Sequence, residues 1–134
     1  MIKEIKSRFE VVTVAGQPNT FFVYDGKPPH GNVIGGVAFQ NGRLSWIQRT
    51  WGSFEGKVNS VEVSKALFSA LESASSVSGT ADAITAKSQR VPGIEFKTVT
   101  FEFPGRRITM TTTEAEPKNG GLQVSIDESV RLPR

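Results

Sequence analysis

The sequence predicts an α+β fold: an antiparallel β-sheet of about eight short strands, strongly bent or in two layers, with a single helix near residues 60–76 packed on it. Three observations point there. Turn signals recur at short spacing and cut the first half into strand-sized pieces with alternating apolar residues. Between Asn59 and Ser78 the apolar period lengthens from two to the ~3.6 of a helix. Beyond Gly79 it returns to two.

"FEVVTVAG", from Phe9 to Gly16, is rich in β-branched residues and stops at a Gly-Gln-Pro-Asn turn. "TFFVYDG" follows, from Thr20 to Gly26, and ends at "KPPHG", where paired prolines forbid a central strand. Next comes "VAFQNGRLSW". Its Asn41-Gly42 pair suits a two-residue type I′ turn, because Asn tolerates and Gly accepts the positive φ that both positions need. Such a turn places Gln40 opposite Arg43, Phe39 opposite Leu44, Ala38 opposite Ser45 and Val37 opposite Trp46. Phe39, Leu44, Val37 and Trp46 then share one apolar face. The second strand runs toward Trp51, and "GSFEGK" breaks the pattern.

In "NSVEVSKALFSALESAS" the stripe Val63, Leu67, Ala70, Leu71 and Ala74 falls on one side of a helix. Asn59, with Glu62 three residues on, forms a capping-box-like start, and Ser78-Gly79 supplies a stop. After the helix, "ADAITAKSQRV" alternates weakly, setting Ala81, Ala83 and Thr85 against Asp82, Ile84 and Ala86. "IEFKTVTFEF" places Ile94, Phe96, Thr98, Thr100 and Glu102 on one face and Glu95, Lys97, Val99, Phe101 and Phe103 on the other. "RRITMTTTEA" continues through a Pro104-Gly105 turn, and "GLQVSIDESV" groups Leu122, Val124 and Ile126. "VAFQNGRLSWI" and "VTFEFPGRRITM" echo each other, a likeness that two hairpins under one alternation rule produce without duplication.

The 134 residues, 37% of them hydrophobic, suit a single domain over 1–134, with residues 1–8 a flexible or trimmed juncture. A net charge of +3, with basic residues scattered along the chain, is explained by solubility alone. The chain has no cysteine, which excludes disulfides, thiolate metal sites and cysteine nucleophiles. No apolar run approaches the ~20 residues that span a bilayer, and "MIKEIKSRFE" lacks the apolar region of a signal peptide. If Met1 is the natural start, the expected compartment is the cytoplasm. If an upstream signal or anchor has been removed, it is extracytoplasmic.

Chemistry-bearing motifs are sparse. His30 is the sole histidine and sits in a proline-flanked loop; no G-x-S-x-G elbow accompanies it, and one His without Cys cannot assemble a zinc site. Glu95 and Glu102 lie on opposite strand faces, and Glu114 and Glu116 share one, as solvated edge charges do. "GNVIGG" lacks the Lys-Ser/Thr of a phosphate loop and enters a strand; Gly35-Gly36 suits a close backbone, the Trp46 ring or a bulge. "GGVAFQ" lacks the basic lead of an RNA-binding strand, and only one helix is foreseen, so nucleic acid is not an expected partner. No cofactor, metal site or catalytic residue is expected.

"FFVYDG…GGVAFQNGRLSWIQRTWG" resembles the hairpin of small bacterial envelope proteins such as the SmpA/OmlA family, which have an aromatic strand and an F-x-N-G-x-L turn. The resemblance covers the hairpin and its lead-in, without the two helices that precede it in that family. It implies an envelope location.

The remaining candidate surface is "RTWGSFEGK", where Arg49, Trp51, Phe54 and Lys57 gather aromatic and basic side chains between two glycines. Either a second layer of the protein covers Trp51 or a partner does. The expected function is a non-enzymatic binding or assembly module, homo-oligomeric or docking to another protein, and with the envelope resemblance the soluble part of a bacterial envelope protein. A second reading is a small-ligand binder with its cavity between helix and curved sheet. An enzyme of unassigned class stands third.

Overall fold

The computed structural model describes Lys3, Lys6 and residues 8–26, 33–115 and 121–132. His30 and Glu116 lie outside the described residues. Eight antiparallel strands form one open sheet: β1 (Glu10–Val14), β2 (Gln17–Tyr24), β3 (Val33–Gln40), β4 (Arg43–Gly56), β5 (Ala83–Val91), β6 (Ile94–Phe103), β7 (Arg106–Ala115) and β8 (Leu122–Arg131). One long helix, α1 (Ser60–Ser78), joins β4 to β5. The strand order is β1-β2-β3-β4-β8-β7-β6-β5, so two four-strand meanders meet where β8 lies beside β4. The chain divides into two compact units, Met1–Arg49 with Ser129–Arg134, and Thr50–Glu128.

In the first unit the turn between β1 and β2 is tighter than the sequence suggests. It is carried by Ala15 and Gly16, with Gly16 at φ 75°, and β2 already starts at Gln17. Pro18 is accommodated because the β1–β2 register slips between Thr13 and Val14, where Thr13 faces Phe21 but Val14 faces Gln17. A proline in such an irregularity is not asked for a ladder N–H.

The Asn41-Gly42 turn has the expected type I′ signature, φ 52° and 75°. Its pairing holds for Gln40–Arg43 and Phe39–Leu44 and then departs from the expected register. Ala38 faces Trp46 and Val37 faces Ile47, because Ser45 is an extra residue whose hydroxyl donates to the Ala38 carbonyl at 3.1 Å. The bulge moves Trp46 to the face opposite Val37. There its ring lies 3.4 Å from where a Cβ of Gly36 would stand. Val37, Val23 and the edge-to-face pair Phe21–Phe39, 6.2 Å between centroids, pack on the other side.

In the second unit α1 begins and ends as its sequence dictates. The Asn59 side chain accepts hydrogen bonds from the amides of Val61 (2.9 Å) and Glu62 (3.4 Å). Gly79, at φ 79°, closes the helix by donating to the Ser75 carbonyl at 2.9 Å. Ala70 and Ala74 are fully buried and form the core with Phe103, Ile108 and Ile126; Val63, Ala66, Leu67 and Leu71 pack around it. Complete burial of Ile108 and Ile126 contributes roughly 1.5–3 kcal/mol each.

β4 does not stop at Trp51 but continues to Gly56. Gly52 lets it do so beneath the helix, since a Cβ there would stand 3.1 Å from that of Ala66 and 2.7 Å from the Phe54 ring. The echoing hairpins occupy different places in their meanders: β3–β4 is the last pair of the first, β6–β7 the middle pair of the second. That mismatch argues against a duplicated unit.

Candidate functional site

Trp51 and Phe54 are half-buried and pack against the core cluster under α1. The Trp51 indole donates to Glu128 at 3.2 Å, and Arg106 donates to the other carboxylate oxygen at 2.9 Å. Glu128 is only 6% exposed, the one buried charged residue among those described. A carboxylate in that position is tolerable because both oxygens are bonded and the partner is cationic. Lys57 is exposed after β4, and Arg49 is exposed in the first unit, where it lies opposite Gly35. Of the four residues singled out from sequence, the structure thus brings Trp51 and Phe54 together.

Glu128 was not singled out, although one signal could have found it. It continues the Leu122, Val124, Ile126 alternation by one step, onto the buried face.

The most open part of the second unit is β5. All nine of its residues are exposed, and it ends the strand order, hydrogen-bonded only to β6 among the described strands. Ile84 faces Phe101 across the ladder and so stands on the helix side of the sheet, yet it is 66% exposed. Val77 continues the 63-67-70-74 spacing of the α1 stripe and is 67% exposed. Both the strand face and the helix stripe thus carry an apolar residue beyond the buried core.

Backbone chemistry defines this edge further. β5 and β6 are joined by the two-residue Pro92-Gly93 turn, with Val91 opposite Ile94 and an unbroken register to Ala83–Glu102. In a two-residue hairpin the closing pair is hydrogen-bonded, and bonded pairs then alternate. Residues 83, 85, 87, 89 and 91 thus turn their amide and carbonyl groups toward β6. Ile84, Ala86, Ser88 and Arg90 turn theirs outward. That row of unpaired groups is what an incoming strand reads.

Two shallow depressions border the same hairpin. One, of about 280 Å³, lies on the face away from α1 and is lined by Lys87, Phe96, Thr98 and Arg107 among others. The other, of about 440 Å³, surrounds the Pro92-Gly93 turn, where Glu95 and Glu114 stand opposite each other on β6 and β7. The Glu95 carboxylate is held by Arg90 at 3.2 Å and Lys97 at 3.9 Å. Among the described residues no group of three or more acidic or histidine side chains is placed to hold a metal ion. Among the described residues no helix is long and apolar enough to cross a membrane. Set beside known protein families, curated proteins and solved structures, the chain matches none of them.

Proposed function

We propose that the protein is a non-enzymatic binding and assembly module whose docking element is the β5 edge. The observation that carries this reading is a nine-residue strand exposed along its whole length, with outward backbone groups at four positions and an apolar side chain, Ile84, left in water. Natural sheets commonly blunt such edges by covering them, shortening them or bending them with bulges. Here the strand is long and regular, and Lys87 and Arg90 are its only charged residues. An extended segment added to it gains main-chain hydrogen bonds along the edge and apolar contact with Ile84.

A photo-crosslinking residue at Ser88 in cells that naturally produce the protein tests the reading. A discrete adduct is expected there, and none from the same residue at Thr112, on β7 in the interior of the sheet. Absence of any adduct at Ser88, with the variant folded and abundant, overturns it.

A further inference from the structure

We propose that the strand completing this edge is β5 of a second copy, paired antiparallel about a two-fold axis at Ala86. The inference rests on the docking reading and names its partner.

The parity of β5 limits the possible pairings. Outward backbone groups belong to Ile84, Ala86, Ser88 and Arg90, so a second strand must set even-numbered residues against even-numbered ones. Three two-fold registers then overlap seven residues or more. The fullest overlap centres on Lys87 and places that lysine directly against its own copy, a like-charge contact that destabilises a strand pair. Centring on Ser88 keeps the lysines off each other but sets Ile84 against Pro92, past the end of the partner strand. Centring on Ala86 avoids both faults. Ala86 meets Ala86, the smallest side chains on the axis, Thr85 meets Lys87, and the exposed Ile84 is paired with Ser88 inside the overlap.

The charged side chains fit the same register. Lys87 of each copy faces Thr85, and Arg90, paired with its own Glu95 at 3.2 Å, falls one step beyond the partner's Ala83, so no two cations stand opposite each other. The Asp82 amide is already bonded to the Glu102 carbonyl at 2.7 Å, which anchors that end of the strand. The pairing supplies about six backbone hydrogen bonds, two from each of three outward-facing pairs. It also places both copies of α1 on the same face of a continuous sheet, since a two-fold axis normal to the sheet preserves its faces. A single strand pairing buries less than the ~1,600 Å² of a standard interface, so the dimer is weak and concentration-dependent.

The absence of cysteine makes the register directly readable. Single variants Ala86→Cys, Lys87→Cys and Ser88→Cys each carry one thiol, and only the residue on the axis meets itself across the interface. Bonded antiparallel residues lie ~5.5 Å apart at Cα, within disulfide reach. Under mild oxidation of folded protein, Ala86→Cys is expected to give a linked dimer with at least tenfold greater yield than the other two. Sedimentation of the unmodified protein from micromolar to millimolar concentration is expected to show a monomer–dimer shift. Ala86→Pro, which removes an outward amide and no ladder bond to β6, is expected to abolish that shift with the melting temperature retained.

Preferential linkage at Lys87→Cys or Ser88→Cys overturns the register, and an unmodified protein that stays monomeric throughout overturns self-pairing. In the latter case a heteromeric adduct at Ser88 in producing cells leaves the docking reading standing, whereas no adduct removes both.

Discussion

Gly35 marks the tightest backbone approach in the first unit. A Cβ there would overlap the Gln48 carbonyl of the neighbouring strand, so the constraint is on space and not on φ. Gly35→Ala is expected to cost about 2–4 kcal/mol in urea unfolding, through forced separation of β3 and β4. Gly121→Ala meets nothing within 4 Å and serves as the control, with a change inside about 0.5 kcal/mol. Equal effects at the two glycines would refute the overlap. Glu128 sets a different kind of constraint, because its carboxylate answers both Arg106 and Trp51. Glu128→Leu alone leaves Arg106 with an 18% exposed side chain and no counter-ion at that position, at an expected cost of about 3 kcal/mol or more. Arg106→Met combined with Glu128→Leu should recover a large part of that loss. A double-mutant cycle by denaturant unfolding measures the coupling, and simple additivity would exclude it.

At the scale of elements, α1 and the β6–β7 hairpin were legible because their signals are local. Asn59 and Gly79 bracket the helix by side-chain capping and left-handed backbone, and both act within a few residues of themselves. Asn59→Ala is expected to lower stability by about 1 kcal/mol, read as a shift in thermal midpoint. The Ser45 bulge was hidden, since a turn fixes register only until an extra residue intervenes, and nothing in "GRLSW" marks Ser45 as that residue. The extension of β4 through Gly52 was hidden for another reason: the need for glycine there comes from Ala66, fourteen positions along the chain. β5 makes an element-level prediction of its own. In monomeric protein, amide exchange should alternate along the strand, fast at Ile84, Ala86 and Ser88 and slow at Thr85, Lys87 and Gln89. Uniform exchange along β5 would contradict the assigned parity.

Across the whole molecule, each compact unit contains one tryptophan, Trp46 in the first and Trp51 in the second. β4 and β8 each contribute residues to both units, so a chain break in order would have to fall inside a strand. Trp46→Phe and Trp51→Phe then give single-tryptophan reporters of either unit. Their fluorescence midpoints in denaturant are expected to coincide with loss of β-sheet circular dichroism within each variant. Separated midpoints would mean that the units unfold independently. The candidate site was less legible than the fold for a reason of the same scale. An alternating strand reads alike whether it is central or at an edge; position in the strand order depends on residues far away in sequence. "RTWGSFEGK" drew the eye because it is aromatic, while "AITAKSQRV" is plain and owes its exposure to topology.

The Pro92-Gly93 connection also bears on how this chain can change length over evolutionary time. A single inserted or deleted residue within β5 exchanges its two sets of backbone groups from that point outward, and swaps Ile84 with the polar face. Changes of two residues preserve the parity and shift only which residues an incoming strand would meet. Length variants of this strand among descendants should therefore differ by even steps, with odd steps confined to the turns.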